Sequence, residues 1–311
     1  LALVGSNGLS YQFTGGAAND RAGFSVSSAG DVDGDGRDDL IIGADKADDG
    51  GAANNNRGET YLILAKDLAD LDGADGTTDG TIDLDQVGGV DGSYQFTGGA
   101  AGDNAGVSVA SAGDVDGDGR DDLIIGAPFA DGGGPNSGET YLILAKDLVD
   151  LDAEDGTTDG TIDLDQVGGV GGSYQFTGGA AGDNAGVSVA SAGDVDGDGR
   201  DDLIIGAINA NVGGETYLIL AKDLVDLDAA DNTTDGIINL GQVGNNGPSY
   251  KFTGGVAGDQ AGISVASAGD VDGDGRDDLI IGARFADGGG TSSGETYLIL
   301  AKDLADLDGA D

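Results

Sequence analysis

One short acidic segment recurs four times in this sequence, and its residue types suit it to binding a hard metal ion. The second copy, residues 114–122, reads DVDGDGRDD and places aspartates at loop positions one, three, five and nine. All-oxygen donors without histidine or cysteine favour Ca²⁺ over zinc or copper, and a flexible loop suits Ca²⁺ better than Mg²⁺. Glycine at position six permits the sharp turn. The segment therefore predicts a calcium loop.

All four copies keep the same ligand positions. Four carboxylates within nine residues repel one another strongly unless a cation neutralises them. The alternative is an Asp/Gly hairpin that binds nothing and whose carboxylates cap turn amides. With arginine at position seven acting through its backbone carbonyl, the expected ligands are Asp31, Asp33, Asp35, Arg37 and Asp39; Asp114, Asp116, Asp118, Arg120 and Asp122; Asp194, Asp196, Asp198, Arg200 and Asp202; and Asp270, Asp272, Asp274, Arg276 and Asp278.

The residues around the loop distinguish it from an EF-hand. An EF-hand loop lies between two helices and has a bidentate glutamate at position twelve, whereas position twelve of the second copy is Ile125. Apolar, strand-like runs lie on both sides of the loop. We therefore expect about four calcium sites, each in a β-hairpin.

The spacing of the acidic segments defines the domain organisation. They begin about 80 residues apart, so the chain reads as a single repeat array over residues 1–311. The expected units are residues 17–99, 100–179, 180–255, and 256–311 together with 1–16.

The second unit predicts four strands. Residues 105–112 alternate in polarity, 123–127 and 140–144 are apolar, and 173–177 place two aromatic residues on one face. Four antiparallel strands cannot bury both of their faces alone, so neighbouring sheets must stack. The expected fold class is all-β, a β-propeller of four-stranded antiparallel blades, with a sandwich or a β-solenoid as the alternative.

The two termini predict a closed ring. Residues 9–14 read as a fourth strand without the first three, while the last unit offers strands one to three without a fourth. The N-terminal strand is therefore expected to complete the last blade, which would remove open sheet edges. The rival interpretation is an arc cut from a larger ring.

Composition limits the partners. With 13 basic and 58 acidic residues the formal net charge is −45, which excludes nucleic acid and anionic membranes as direct partners. Cysteine is absent, so no disulfide can stabilise the fold, and a bound metal ion is the expected stabilising element for a repeat protein outside the cell. No run of about 18 apolar residues or signal peptide is evident, so we expect no direct membrane insertion and a mature segment or a piece of something longer.

The sequence resembles the FG-GAP repeat family, whose repeats form the blades of integrin α-subunit propellers and of many bacterial surface proteins. The resemblance rests on AGVSVASAGDVDGDGRDDLIIGAP at residues 105–128 and on its counterparts in the other units. The FG dipeptide is reversed, as Gly23-Phe24, in the first unit, and GAP is intact only at residues 126–128. The resemblance implies calcium on one face of the ring, ligand contacts on the other, commonly seven blades, and a role in adhesion or extracellular recognition.

A second acidic motif lies between the third and fourth strands. Asp155-x-Thr157-x-Asp159-Gly160 imitates the start of an EF-hand loop, but Gln166 replaces the terminal glutamate. Weaker extra metal sites near Asp75, Asp155 and Asp231 are one interpretation, and a short helix from Lys146 followed by an Asp/Gly turn is the other.

The connections between strands two and three differ most among the units, at residues 45–57, 128–137, 208–213 and 284–293. Surface loops tolerate sequence change, so unselected variation explains the differences among these connections. The alternative is that the connections form a recognition surface. The non-acidic contacts available to such a surface are Lys46, Arg57, Phe129, Arg284 and Phe285.

Three functions remain open. Without histidine or cysteine, Ser/His/Asp and Cys/His nucleophile systems cannot form, and a carboxylate-based glycosidase is a remote alternative because Glu59, Glu139, Glu215 and Glu295 recur identically. We expect a non-catalytic, calcium-stabilised adhesion or ligand-recognition module, extracellular or at the cell surface, that binds a protein or a glycan. A spacer or filament segment that joins copies of itself is the second hypothesis.

Overall fold

The computed structural model describes residues 10–48, 55–89, 92–169, 171–244 and 249–308 of the chain. Short strands make up most of its regular structure and recur in the same order in each repeat. The strands are β1 (Gln12–Thr14), β2 (Ser25–Gly30), β3 (Asp39–Ala44), β4 (Glu59–Ile63), β5 (Thr81–Asp83), β6 (Tyr94–Thr97), β7 (Ser108–Gly113), β8 (Asp122–Ala127), β9 (Glu139–Ile143), β10 (Thr161–Asp163), β11 (Tyr174–Thr177), β12 (Ala185–Gly193), β13 (Asp202–Ala207), β14 (Glu215–Ile219), β15 (Ile237–Asn239), β16 (Tyr250–Thr253), β17 (Ala261–Gly269), β18 (Asp278–Ala283) and β19 (Glu295–Ile299).

Each repeat forms one antiparallel sheet. We call β2-β3-β4-β6 sheet 1, β7-β8-β9-β11 sheet 2, β12-β13-β14-β16 sheet 3 and β17-β18-β19 sheet 4. In sheet 2, Val109 lies opposite Ile125, and Ile125 in turn lies opposite Tyr141. The four strands expected for the second unit are therefore present, with bounds that differ by no more than three residues.

Sheets 1 and 2 also carry a fifth strand that the sequence did not predict. β10 of the second repeat runs parallel to β6, and β15 of the third repeat runs parallel to β11. Each added strand comes from the repeat that follows in the chain. The expectation of purely four-stranded antiparallel blades is thus corrected to larger sheets of mixed direction.

The sheets stack in chain order, with β2 against β7, β7 against β12 and β12 against β17. Between sheets 1 and 2, Ile41 and Leu62 pack with Val109 and Ile125, and all four are nearly or completely buried. Successive strand residues point to opposite faces, so Ile124 instead contributes to the layer between sheets 2 and 3. The continuous apolar run of the second strand is therefore buried on both faces.

The described strands do not close into a ring. β1 was expected to complete the last sheet, but it pairs in parallel with β5 beside sheet 1, with Phe13 opposite Ile82. In the described residues, sheet 4 consists of three strands, and β19 has a ladder partner only in β18. The expected closure by the N-terminal strand is therefore not found, because β1 occupies the position of a fourth strand that precedes sheet 1.

A short helical segment follows the third strand of each repeat. A 3-10 turn leads into α1 (Leu68–Gly73), α2 (Leu148–Asp152), α3 (Leu224–Asp228) and α4 (Leu304–Asp308). The helix expected from Lys146 corresponds to this turn together with α2. Among the described residues, no helix combines the length and apolar character needed to cross a membrane.

Candidate metal centre

The acidic segment of each repeat is the turn between the first and second strands of its sheet. In sheet 2 the turn follows a register shift between Ser111 and Gly113, where a bulge redirects the chain. Gly117 and Gly119 adopt φ values of 78° and 88°, a region that glycine enters without steric cost. The sequence therefore forms a tight loop whose side chains can turn inward.

The first aspartate of the loop organises the turn through backbone amides. Asp114 Oδ1 accepts hydrogen bonds from the amides of Gly117 at 2.8 Å and Asp118 at 2.9 Å, and its Oδ2 accepts from Gly119 at 2.9 Å. The third and fourth loops repeat this pattern through Asp194 and Asp270. These hydrogen bonds give the loops the same shape without a contribution from a bound cation.

Three carboxylates converge in each loop. Oxygens of the aspartates at positions one, three and nine lie within 4.8 Å of one another, a spacing that one cation can bridge. The residues of these four triads are Asp31, Asp33 and Asp39; Asp114, Asp116 and Asp122; Asp194, Asp196 and Asp202; and Asp270, Asp272 and Asp278.

The aspartate at position five lies outside the triad and instead pairs with the arginine at position seven. Asp118 Oδ2 lies 2.6 Å from Arg120 Nη2, and Asp118 Oδ1 accepts from the Arg120 amide at 2.9 Å. The side-chain hydrogen bond from Arg120 lowers the pKa of Asp118. Ligation by position five, and by the arginine carbonyl, stays a prediction for Asp35, Asp118, Asp198 and Asp274 and for Arg37, Arg120, Arg200 and Arg276.

The aspartate at position nine opens the second strand and is buried. Asp122 is 1% exposed, and its two oxygens accept from the amides of Val115 at 3.0 Å and Ala145 at 2.8 Å. Burial, with a smaller contribution from charge repulsion by Asp116, raises the pKa of Asp122 to about 7. Asp202 in the third loop behaves in the same way, with a pKa of about 7. A nearby cation would favour the charged form of each carboxylate.

A lysine from the segment after the third strand forms an ion pair with one aspartate of each triad. This contact was not predicted from the sequence. Lys146 Nζ lies 2.7 Å from Asp116 Oδ2, and Lys66 Nζ lies 2.9 Å from Asp33 Oδ2. Lys222 and Lys302 make the corresponding pairs with Asp196 and Asp272. The only signal for this was the recurring Ala-Lys-Asp sequence after every third strand.

Adjacent loops are joined by hydrogen bonds through the aspartate at position eight. The Asp31 amide donates to Asp121 Oδ2 at 2.7 Å, and the Asp121 amide donates back to the Asp31 carbonyl at 3.2 Å. The second and third loops are joined in the same way by Asp114 and Asp201. Asp194 and Asp277 join the third and fourth. The four loops therefore form a continuous row along one end of the sheets.

The donor set fits a hard divalent cation. Each triad offers carboxylate oxygens alone, and one of them, Asp31 Oδ1, is buried without a hydrogen-bond partner among the described residues. An unpaired buried carboxylate oxygen is costly unless a cation compensates it. Ca²⁺ accepts mixed carboxylate and carbonyl ligation in flexible loops, so the residues present suit calcium.

The second acidic motif forms turns of its own. Asp155 Oδ1 accepts from the amide of Thr157 at 2.8 Å and from its hydroxyl at 2.6 Å, and Asp159 Oδ1 accepts from the Thr161 amide at 3.1 Å. In the described part of the chain, the four groups that meet the metal-site spacing are the triads of the hairpin loops. Extra sites near Asp75, Asp155 and Asp231 stay a prediction.

The loops that differ among the repeats lie at the opposite end of the sheets. Phe129 and Phe285 are each 44% exposed there, and Arg284 lies over the Phe285 ring at 4.7 Å. Arg57 instead supports the fold, since its Nε donates to the Gly98 carbonyl at 2.7 Å. Lys46 is half-buried, and residues 49–54 of the first such loop lie outside the described residues.

The recurring glutamates are part of the same end. Glu139 is 5% exposed and accepts a hydrogen bond from the hydroxyl of Tyr141, and the pairs Glu59–Tyr61, Glu215–Tyr217 and Glu295–Tyr297 repeat this contact. Nearby, burial raises the pKa of Asp103 to about 6. Because each glutamate accepts a hydrogen bond from the tyrosine two residues later, it helps to hold the third strand in place.

Comparison with known proteins places these hairpins in one family. The FG-GAP repeat profile matches residues 22–63, 105–143, 185–219 and 261–299, and each match contains one acidic hairpin loop with its neighbouring strands. The chain belongs to the FG-GAP repeat family. It is also similar to integrin alpha pat-2 of Caenorhabditis briggsae and of Caenorhabditis elegans, at 28% identity to each over 300 and 306 residues.

Both alignments cover 94% of this chain but only 20% and 19% of the relatives, so the chain spans about a fifth of their length. The chain is accordingly an integrin-α-like FG-GAP repeat module.

Proposed function

We propose that this chain is a calcium-stabilised, non-catalytic recognition module that is displayed outside the cell or on its surface. The observation that carries the proposal is the identical carboxylate triad in all four hairpin loops. The similarity to integrin alpha chains supports an adhesive, extracellular role. Calcium is structural in this proposal, because the triads lie in hairpin turns and are joined to one another rather than to a cleft.

The ligand of the proposed module would bind at the end opposite the cation loops. The exposed rings of Phe129 and Phe285 and the guanidinium of Arg284 supply apolar and cationic contacts at that end of a chain whose net charge is −45. Aromatic and arginine side chains dominate binding energy in protein interfaces. A protein or a glycan is the proposed ligand, and the acidic surface disfavours nucleic acid.

Calcium removal tests the structural part of the proposal. We expect EDTA to lower the melting temperature of the chain at low salt, and millimolar Ca²⁺ to restore it, because a ligand at 100 times its Kd stabilises by about 2.7 kcal/mol per site. Asp122→Asn should remove one site in a calorimetric titration. Asp150→Asn, at an exposed aspartate on α2 that lies outside both acidic motifs, is the matched control. A melt that EDTA leaves unchanged would contradict the proposal.

Binding to arrays of glycans and extracellular proteins tests the recognition part. A ligand that binds the native chain should be lost with the double variant Phe129→Ser and Phe285→Ser. It should be retained with Val149→Ser, which changes a side chain 65% exposed on α2. Equal loss with both variants would place the ligand elsewhere.

The spacer hypothesis is favoured by a different observation. The four units are nearly identical in sequence and their sheets stack in the same way, a uniformity that suits a stiff spacer better than a recognition surface built from loops that differ.

A further inference from the structure

Each acidic loop has a lysine ammonium beside its triad. Lys146 Nζ lies 2.7 Å from Asp116 Oδ2, an oxygen that is buried, whereas the lysine side chain is 44% exposed. Lys66 stands in the same relation to Asp33 in the first loop, at 2.9 Å. Four of the 13 basic residues of this acidic chain therefore lie at the position-three aspartates of the triads.

The residues on both sides of the lysine fix its position. The Ala145 amide donates to Asp122 Oδ1, on the buried member of the triad, at 2.8 Å. Asp147 Oδ2 accepts from the hydroxyl of Ser173, just before the fourth strand, at 3.0 Å. The first and third repeats make the same two hydrogen bonds. The Ala-Lys-Asp segment therefore directs its lysine to the triad through the placement of the backbone.

The lysine differs from the arginine of the same loop in a way that suits exchange. Arg120 contacts Asp118 through both its guanidinium and its own amide, so this pair is part of the turn. Lysine presents a compact, strongly hydrated charge on a flexible four-carbon stem. A partly exposed ion pair of this kind costs little to open, because the ammonium can return to water. The lysine pair can therefore open without a change in the backbone.

Calcium and the ammonium would repel each other on one carboxylate. Ligand oxygens lie about 2.3–2.6 Å from Ca²⁺, so a cation held by Asp116 would lie beside the ammonium that is 2.7 Å from the same carboxylate. The repulsion is between a double and a single positive charge. It is relieved when the lysine side chain turns away.

The structure has room for the lysine side chain to turn. A cavity of about 160 Å³ lies beside Lys146 and is lined by Leu144 and Tyr174 of its own repeat and by Leu224 of the next. A cavity of the same volume adjoins Lys66, and one of about 140 Å³ adjoins the corresponding lysine of the third repeat. The stem of the lysine can therefore move into existing space while its ammonium stays hydrated.

We infer that Lys66, Lys146, Lys222 and Lys302 are exchangeable counter-ions of the four loops. Each lysine neutralises the position-three aspartate while calcium is scarce, and calcium displaces it when the loop fills. The lysines thereby set the calcium concentration at which the loops fill. This regulation rests on the proposed calcium binding of the triads. A pair that stabilises the metal-free chain and is lost on binding must weaken calcium binding by the same factor.

An NMR titration of the isotope-labelled 311-residue chain with Ca²⁺ tests the inference loop by loop. The amides of Gly119 and Gly275 donate to the first aspartate of the second and fourth loops, so their signals report on those loops. Lys146→Met keeps an apolar stem but removes the charge. The midpoint for Gly119 should fall about fivefold in Ca²⁺ concentration, the size expected for one partly exposed ion pair. The midpoint for Gly275 should not change.

Two further variants are matched controls. Lys251→Met removes the same charge at the other end of the sheets, where Lys251 Nζ lies 3.8 Å from Glu215 Oε1, and it should leave the Gly119 midpoint unchanged. Lys146→Arg keeps the charge beside the triad and should leave that midpoint at or above the native value. Together they separate a local exchange from a general effect of net charge.

Stability provides a second measurement. In urea unfolding, Lys146→Met should be less stable than the native chain in excess EDTA and equal to it in saturating Ca²⁺, because calcium has already displaced the lysine of the native chain. Lys66→Met should behave in the same way, with its change in midpoint read from the Gly36 amide of the first loop.

The outcomes separate this inference from the proposed function. If the native Gly119 signal responds to calcium but Lys146→Met leaves its midpoint unchanged or raises it, the inference is overturned and the proposed calcium binding stands. If the native chain shows no response to millimolar Ca²⁺, the proposed function is overturned and this inference with it.

Discussion

The close approach of glycines between neighbouring sheets gives the sharpest prediction about stability. Gly126 lies in β8, and a Cβ added there would overlap the carbonyl oxygen of Gly186 in sheet 3 and lie 2.9 Å from its carbonyl carbon. The obstacle is backbone within a paired strand, so it cannot move aside by rotating a side chain. Gly126→Ala must therefore push sheets 2 and 3 apart.

The size of the effect follows from two opposing contributions. Over-packing of a tight interface costs about 1–3 kcal/mol, and a gap of about 0.5–1 Å loses a quarter to a half of each dispersion contact nearby. Against this, alanine restricts the unfolded chain and stabilises by about 0.4–1 kcal/mol where its backbone conformation is allowed. We expect a net loss of about 2 kcal/mol for Gly126→Ala, and a similar loss for Gly206→Ala, which meets Gly262 in the same way.

Gly282→Ala is the matched control, because it makes the same change at the same position of sheet 4. Its Cβ would meet atoms at 3.5 Å or beyond, which is ordinary contact. We expect it to be neutral or slightly stabilising. Urea unfolding in millimolar Ca²⁺, followed by tyrosine fluorescence at concentrations where the chain is monomeric, measures both. A Gly126→Ala midpoint equal to that of Gly282→Ala would contradict this prediction.

Two further predictions concern single carboxylates. Burial raises the folded-state pKa of Asp103 from 3.8 to about 6, so folding stability falls as pH rises between about 4 and 6. Asp103→Asn should therefore stabilise the chain at pH 8 but not at pH 4, with Asp150→Asn, at an exposed aspartate on α2, as the control. An equal gain at both pH values would contradict this prediction. Asp201→Ala removes the acceptor of the Asp114 amide and should weaken calcium binding by the second loop about tenfold. Asp38→Ala, at the same position of the first loop, should change calcium binding little, because no amide of another loop donates to Asp38 among the described residues. Calorimetric titration measures both effects.

The sequence predicted the parts of the fold whose signals are local. The alternation of Val107 and Val109 with the small residues Ser108 and Ala110 marks the first strand. The apolar run that begins at Leu123 marks a second strand buried on both faces. The spacing of aspartates around glycine predicted the loop, and the structure brings positions one, three and nine together. Position five was not distinguishable, because pairing with the arginine two residues later depends on side-chain geometry.

The features that the sequence analysis missed depend on distant partners. β10 has three residues, Thr161–Asp163, within a segment that reads as a second acidic motif, and it becomes a strand by pairing with β6 of the previous sheet. The position-eight aspartates look like part of their own loop, but Asp121 accepts from the amide of Asp31, 90 residues away. Ring closure likewise depends on the rotation from one sheet to the next, which no single motif encodes.

The row of linked loops would couple the proposed calcium binding to sheet stacking. The residue that opens one loop, Asp114, donates its amide to Asp201 of the next loop, and Asp201 lies one residue before Asp202, the buried member of its own triad. A cation that orders the third loop therefore also fixes the acceptor that holds the second. The same contact repeats between each pair of adjacent sheets. Loss of calcium from one hairpin loop should therefore loosen that loop and also the interface with the neighbouring sheet. With calcium bound as proposed, four acidic loops that repel one another in isolation would be compatible with a single stacked array.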